Sequence, residues 1–205
     1  MAFTILTVCS GNVCRSPLAE LLLRNGLASL PDVRVSSAGT IALVGEGMPD
    51  DGQAVARALG VDPAGHRARL LVAEQVRGSG LVLAMAREHR SAVAELHPRA
   101  ARRAFTLTEF ANIARQVEDT DFDDVRARPL GDVAGRLAAV VDVAASLRGV
   151  VDHLDEEALD VRDPYRMGRE TYELSAAQLK PAADATVALL LRAATIGPRT
   201  TGAIL

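Results

Sequence analysis

The chain of 205 residues contains two cysteines, Cys9 and Cys14, which excludes a structural disulfide framework. It contains one lysine, Lys180; every other permanently basic side chain is arginine. That bias reads as base composition of the coding sequence rather than adaptation to a ligand. Positive charge is not in excess. The formal net charge of −3 gives no field that would gather nucleic acid. No apolar run approaches the roughly 20 residues that cross a membrane, so no membrane association is expected. The N-terminus lacks a basic segment, a long apolar core and a cleavage site, and a cytoplasmic protein is expected. Residues 118–124 are acidic but lack the spaced oxygen ligands and glycine of a calcium loop, so they read as a solvated loop. No metal and no cofactor are expected. Internal repeats and disordered linkers are missing too. What is abundant is hydrophobic residues, 49% of the chain, enough for one well-buried domain spanning 1–205.

Apolar runs alternate with helical patterns. Phe3–Val8, Val33–Ser37, Leu81–Met85 and Ala104–Leu107 read as strands. Helices are expected at about 16–28, 52–59, 66–76, 87–96 and 108–115. Leu81–Met85 is too short and too apolar for anything but a buried strand. Strands alternating with helices predict an α/β fold of three layers, α/β/α, around a central four-stranded parallel sheet with right-handed crossovers. Ligands of such sheets bind beyond the carboxyl ends of the strands. Between about 110 and 158 a helical insertion is expected. Val133, Leu137, Val140, Val141, Ala144, Leu147, Val151 and Leu154 recur at helical spacing, which predicts one amphipathic helix of about five turns packed on the sheet.

Residues 8–17, Val-Cys-Ser-Gly-Asn-Val-Cys-Arg-Ser-Pro, carry the chemistry. They join the first strand to the first helix. That context aims backbone N–H groups and the positive end of a helix dipole at the loop centre, where an anion belongs. A thiolate, not a thiol, is the nucleophile, and convergent amides with a nearby guanidinium favour it. Arg15 supplies a planar fork that grips two phosphate oxygens. Gly11 and Asn12 tolerate left-handed backbone angles. Pro17 suits the first helical turn. Ser16 either caps that helix or donates its hydroxyl to the thiolate. Two cysteines that merely pack would leave Gly-Asn, Arg-Ser-Pro and the strand-to-helix context without a reason.

With Cys-x5-Arg-Ser near the start and Asp163-Pro164-Tyr165 near the end, the chain resembles the low-molecular-weight protein tyrosine phosphatases, of bacterial type. Ser37-Ala38-Gly39-Thr40, His66-Arg67-Ala68-Arg69 and Leu81–Met85 fall where that family has similar segments. The resemblance covers residues 3 to about 106 and 159 to about 192; the stretch between is longer than the family leads one to expect. It implies that Cys9 attacks phosphorus while Arg15 and the amides of Ser10, Gly11, Asn12, Val13 and Cys14 hold the phosphoryl oxygens. Asp163 protonates the leaving group and then activates water, a role that typically contributes 10²–10⁴-fold. Pro164 stiffens that loop and Tyr165 walls an aromatic substrate. Asn12, Ser37 and His66 match a hydrogen-bond network beneath the phosphate loop. His66 also reads as an ordinary satisfied histidine. Cys14 is either a packed thiol or a partner that forms a reversible disulfide with an oxidised Cys9. His89, His97 and His153 read as surface or helix-cap residues. Ile41 stands where relatives often place an aromatic, so either one substrate wall is aliphatic or Tyr165 serves alone. Arg166 and Arg169 would favour acidic sequence around a phosphosite.

The implied substrates are tyrosine-phosphorylated proteins, including a bacterial tyrosine kinase of polysaccharide export. Rival readings share the loop. Thiol-dependent arsenate reductases need later cysteines, and none follows Cys14. Phosphoarginine phosphatases carry threonine where Val13 stands; valine has the shape without the hydroxyl, which favours phosphotyrosine. A non-catalytic phosphate-binding module would lack the nucleophile, the arginine or the acid, and all three are present.

Overall fold

The computed structural model describes residues 2–152 and 154–198. His153 therefore lies outside the described residues. Four strands, β1 (Phe3–Cys9), β2 (Val33–Gly39), β3 (Leu81–Ala84) and β4 (Ala104–Thr106), form one parallel sheet in the order β2-β1-β3-β4. Eight α-helices accompany them: α1 (Arg15–Gly26), α2 (Asp50–Ala58), α3 (Ala73–Arg77), α4 (Arg87–Leu96), α5 (Leu107–Gln116), α6 (Asp123–Arg126), α7 (Val133–Leu147) and α8 (Arg169–Thr195). The expected three layers are present, and the reason lies in the period of the strands. In β1 the side chains of Phe3, Ile5 and Cys9 join one core with α1, α5, α7 and α8. Leu6 and Val8 point the other way, into a smaller core with α3 and α4. In the inner strands β1 and β3 both faces are buried, so these two read as nearly continuous apolar runs, unlike the edge strand β2.

The structure changes four expectations. Residues 66–76 are not one helix. The stretch before α3 runs extended, bridging Gly39 to Leu70, because its backbone is committed elsewhere. Arg69 N donates to Asn12 Oδ1 at 2.9 Å, Leu71 N to Gly39 O at 2.8 Å and Ala68 N to Glu46 O at 2.8 Å. The five-turn helix expected from Val133 to Leu154 stops at Leu147. Gly149 takes a positive φ of 84° and turns the chain, so Val151 and Leu154 follow the helix rather than extend it. The acidic run is not wholly a solvated loop, since Phe122 within it is fully buried under the Arg192 guanidinium and Asp119 pairs with Arg126 and Arg192. His89 lies in the interior rather than at the surface, with only 2% of its area exposed. His97 does cap α4.

α7 packs against α8 and against the start of the inner strand β1. Its Arg136 is fully buried and has no carboxylate partner among the described residues. Its guanidinium donates to the carbonyls of Arg128, Ala193 and Ile196 at 2.6–2.9 Å. A cation over the last carbonyls of a long helix meets the negative end of its dipole and supplies the donors those carbonyls lack. Burial pushes the Arg136 pKa down, yet an arginine stays charged. α7 thus anchors the C-terminal helix.

Candidate active site

The loop between β1 and α1 wraps around its own amides. Its carbonyls turn outward and are taken in succession: Cys9 O by Thr40 N at 2.9 Å, Ser10 O by Ile41 N at 3.1 Å and Gly11 O by Leu43 N at 3.0 Å. Asn12 O accepts from His66 Nε2 at 2.7 Å. A carbonyl can only accept, so Nε2 carries the proton, and burial holds His66 below the ordinary histidine pKa. With the carbonyls outside, the N–H groups are left for the concave side, the arrangement of an anion nest. Asn12 takes φ 55°, a left-handed angle that asparagine tolerates. Gly39 passes close beneath: a Cβ there would sit 2.4 Å from the Ser10 carbonyl oxygen.

Under the nest, Cys9 is buried with its Sγ 2.9 Å from Ser16 Oγ. The hydrogen-bond directions beyond that contact are set from the far end. Glu20, buried on α1, accepts from Ser37 Oγ at 2.5 Å. Ser37 must therefore accept from Asn12 Nδ2, at 2.8 Å, and the other Asn12 N–H goes to Ser16 Oγ at 3.0 Å. Ser16 is left with its own proton to donate to the sulfur. That decides between the two roles open to Ser16, since Cys14 occupies the cap position and no side chain caps the helix. The network includes Asn12, Ser37 and His66 as expected from the resemblance, and it adds Glu20, which no motif marked.

Arg15 is buried and reaches across the loop. It donates to Val161 O at 3.2 Å and to Asp163 Oδ2 at 2.5 Å. Its Nε is buried and donates to no acceptor among the described residues. Asp163 is half-exposed at the mouth, and its other oxygen accepts from Tyr165 N at 3.1 Å, fixing the Asp-Pro-Tyr turn. The turn is held from behind: Val161 N donates to Met85 O at 2.8 Å, and Asp160 pairs with Arg87 at 3.2 Å. Cys9, Ser10, Val13, Arg15, Asp163 and Tyr165 line a cavity of about 120 Å³, with Ile41 and Leu43 on its rim. It opens beside a larger groove of about 680 Å³ that shares Val13, Leu43 and Tyr165. Both an aliphatic wall and Tyr165 therefore flank the mouth.

Cys14 also lines the small cavity. Its Sγ lies 3.6 Å from Tyr172 Oη, and burial pushes its thiol pKa up to about 12. The structure keeps both cysteines free. Ser10 and His89 form a further contact that sequence reading did not find: Ser10 Oγ lies 2.8 Å from His89 Nε2 and 3.4 Å from the Arg15 guanidinium. Burial, then the Arg15 charge, push the His89 pKa down to about 4.

A sulfur set under N–H donors at the carboxyl end of a parallel sheet, with a buried arginine and a carboxylate at its mouth, is the arrangement of cysteine-dependent phosphatases. Comparison narrows that class. Residues 4–128 match the family described as low molecular weight phosphotyrosine protein phosphatase, and the chain belongs to it. A protein-arginine-phosphatase from Geobacillus stearothermophilus is 34% identical over 154 residues, 75% of this chain and 92% of that protein. The low molecular weight protein-tyrosine-phosphatase Etp of Escherichia coli (strain K12) is 44% identical over 95 residues, 46% of this chain and 62% of that protein. Among solved structures, the tyrosine phosphatase AmsI of Erwinia amylovora superposes with a TM-score of 0.64 at 26% identity, covering 92% of this chain and 93% of that one. The YwlE arginine phosphatase of Geobacillus stearothermophilus gives 0.65 at 27% identity, with coverage of 92% and 93%.

Proposed function

We propose that the protein hydrolyses phosphotyrosine in proteins through a phosphocysteine intermediate. The observation that carries this reading is the convergence of Cys9, Arg15 and Asp163 on one small cavity, with Ser16 donating to the sulfur and Arg15 Nε unpaired. A phosphoryl group entering the nest competes with Asp163 for Arg15 and frees the carboxyl to face the leaving oxygen. The Cys9 sulfur then bonds to phosphorus as the phosphorus–phenol oxygen bond breaks, and Asp163 gives its proton to that oxygen. In the second step water gives a proton to the Asp163 carboxylate and attacks phosphorus. The sulfur–phosphorus bond breaks, inorganic phosphate leaves and the thiolate is restored. Donors already aimed where charge develops need no reorganisation.

Two features favour a phosphorylated phenol over phosphoarginine. Val13 presents methyl groups and no hydroxyl to the cavity. Tyr165, Ile41 and Leu43 make an apolar mouth for a ring. Arg166 stacks its guanidinium 5.2 Å from the Tyr165 ring centroid and adds a cation beside the mouth, suited to acidic residues around the phosphosite. The proposed substrates are tyrosine-phosphorylated proteins of the cytoplasm, with a bacterial tyrosine kinase of polysaccharide export among them on the strength of the family resemblance. No helix among the described residues is long and apolar enough to cross a membrane. The alternative rests on the relatives named for arginine phosphatase activity. The experiment is a comparison of rates on phosphotyrosine, phosphoserine and phosphoarginine peptides at one pH. Phosphotyrosine should dominate, and dominant turnover of phosphoarginine would overturn the assignment.

A further inference from the structure

His89 is buried on the first turn of α4, yet the steps above do not use it. Its Nε2 lies 2.8 Å from Ser10 Oγ and 3.3 Å from the Glu88 carboxylate. Its Nδ1 is buried and has no partner among the described residues. Two arguments place the ring proton on Nε2. A carboxylate beside Nε2 can only accept. A buried ring nitrogen without a partner is tolerated better as an acceptor than as a donor. His89 therefore donates to Ser10 Oγ. The Arg15 guanidinium donates to the same oxygen at 3.4 Å. With both lone pairs engaged, the Ser10 hydroxyl keeps one proton to give and one direction left. Ser10 lines the small cavity with Cys9, Arg15 and Asp163, so that direction opens into it.

We propose that the Ser10 hydroxyl donates to a phosphoryl oxygen of the bound substrate and that His89 is the positioning residue that aims it. The inference rests on the phosphatase reading and adds a side-chain donor to the backbone nest. It also explains a neutral imidazole at this place. The ring faces Arg15 and Asp163 from the site, Asp160 from the segment before the acid and Glu88 from its own helix. Held neutral by burial and by Arg15, it keeps one nitrogen as donor and adds no charge against the guanidinium.

The test uses the full chain with Ser10→Ala, His89→Phe, His89→Gln and the double variant Ser10→Ala/His89→Phe, each checked for cooperative thermal unfolding. The readouts are kcat/KM on an aryl phosphate and the inhibition constant of inorganic phosphate. A hydrogen bond to a charged oxygen predicts that Ser10→Ala loses about tenfold in both. His89→Phe, which fills the space without a donor, should lose as much. Glutamine places an amide N–H near Nε2, so His89→Gln should stay within about threefold of wild type. The double variant should be no worse than either single one, because the two residues make one contact. A folded Ser10→Ala with unchanged kcat/KM and phosphate inhibition overturns the proposal. Losses that multiply in the double variant also overturn it, since they would make His89 a packing residue only. If His89→Phe does not fold, Ser10→Ala decides the donor, and a His89→Gln that loses tenfold refutes the aiming. Wild-type protein inert towards aryl phosphate would sink the phosphatase reading itself. Active wild type matched by Ser10→Ala sinks only this inference.

Discussion

Acidification should destabilise this protein through His89, and the size of the effect follows from the site. Free histidine titrates near 6.5; in the folded chain burial and the Arg15 charge hold His89 down at about 4, against the pull of Asp163 and Asp160. Between those values the unfolded chain binds a proton that the native chain does not, so stability falls as pH drops from above 6.5 towards 4. At pH 5 the unfolded histidine lies about 1.5 units below its pKa and is charged, while the native one is still neutral, a difference of about 2 kcal/mol. For a chain of this length that is a melting-temperature shift of about 5 °C. The perturbation is His89→Gln, which keeps a donor and cannot titrate. The assay is melting temperature at pH 7 and pH 5 for wild type and variant. His66 is shifted in the same direction and is present in both proteins, so it cancels in the comparison. The variant should lose about 5 °C less than wild type on acidification. Equal losses would show that His89 charges freely in the folded protein and would refute the burial argument.

Asp163→Ala should slow an aryl phosphate with a poor leaving group by about 10²–10⁴-fold and an activated one far less; rates on a leaving-group series check this, and a uniform loss would remove the acid role. Gly39→Ala forces a Cβ against the Ser10 carbonyl, so the nest must shift; kcat/KM should fall by about tenfold or more, with a stability loss of about 1–3 kcal/mol from overpacking. Arg136→Met removes the donors to Ala193 O and Ile196 O at the end of α8 and to Arg128 O after α6. It should cost about 3 kcal/mol by urea unfolding. Yet kcat/KM should hold, because the start of α8 beside the acid turn is about 40 Å of helix away. A large kinetic effect there would mean that the insertion couples to the site.

Local signals marked most of what the site is made of. Cys9, Arg15 and the loop between them are neighbours in the chain, and a strand running into a helix through Gly-Asn and Arg-Ser-Pro leaves the backbone few alternatives. Asp163 was visible only through its family motif, since Asp-Pro-Tyr alone is an ordinary turn. Glu20 and His89 carried no mark. Glu20 reads as one more acidic residue of a helix, and its meaning comes from Ser37, which β2 brings beside it. His89 reads as a polar residue on a helix of mixed face, and only the packing of α4 against β1 puts it on Ser10. The helix expected over 66–76 failed for the same reason: its residues suit a helix, but their amides and carbonyls are taken by Asn12, Gly39 and Glu46 from distant segments.

By itself, then, the order of residues determined the strands, their parallel pairing and the shape of the loop after β1, because those depend on periodicity and on backbone angles allowed to single residues. The tertiary structure alone decided which way protons run from Glu20 to the Cys9 sulfur, what Arg15 and His89 touch, and how α7 secures α8. Those outcomes depend on desolvation and on hydrogen-bond partners as far as 148 positions apart in the chain, and no local pattern encodes such partners.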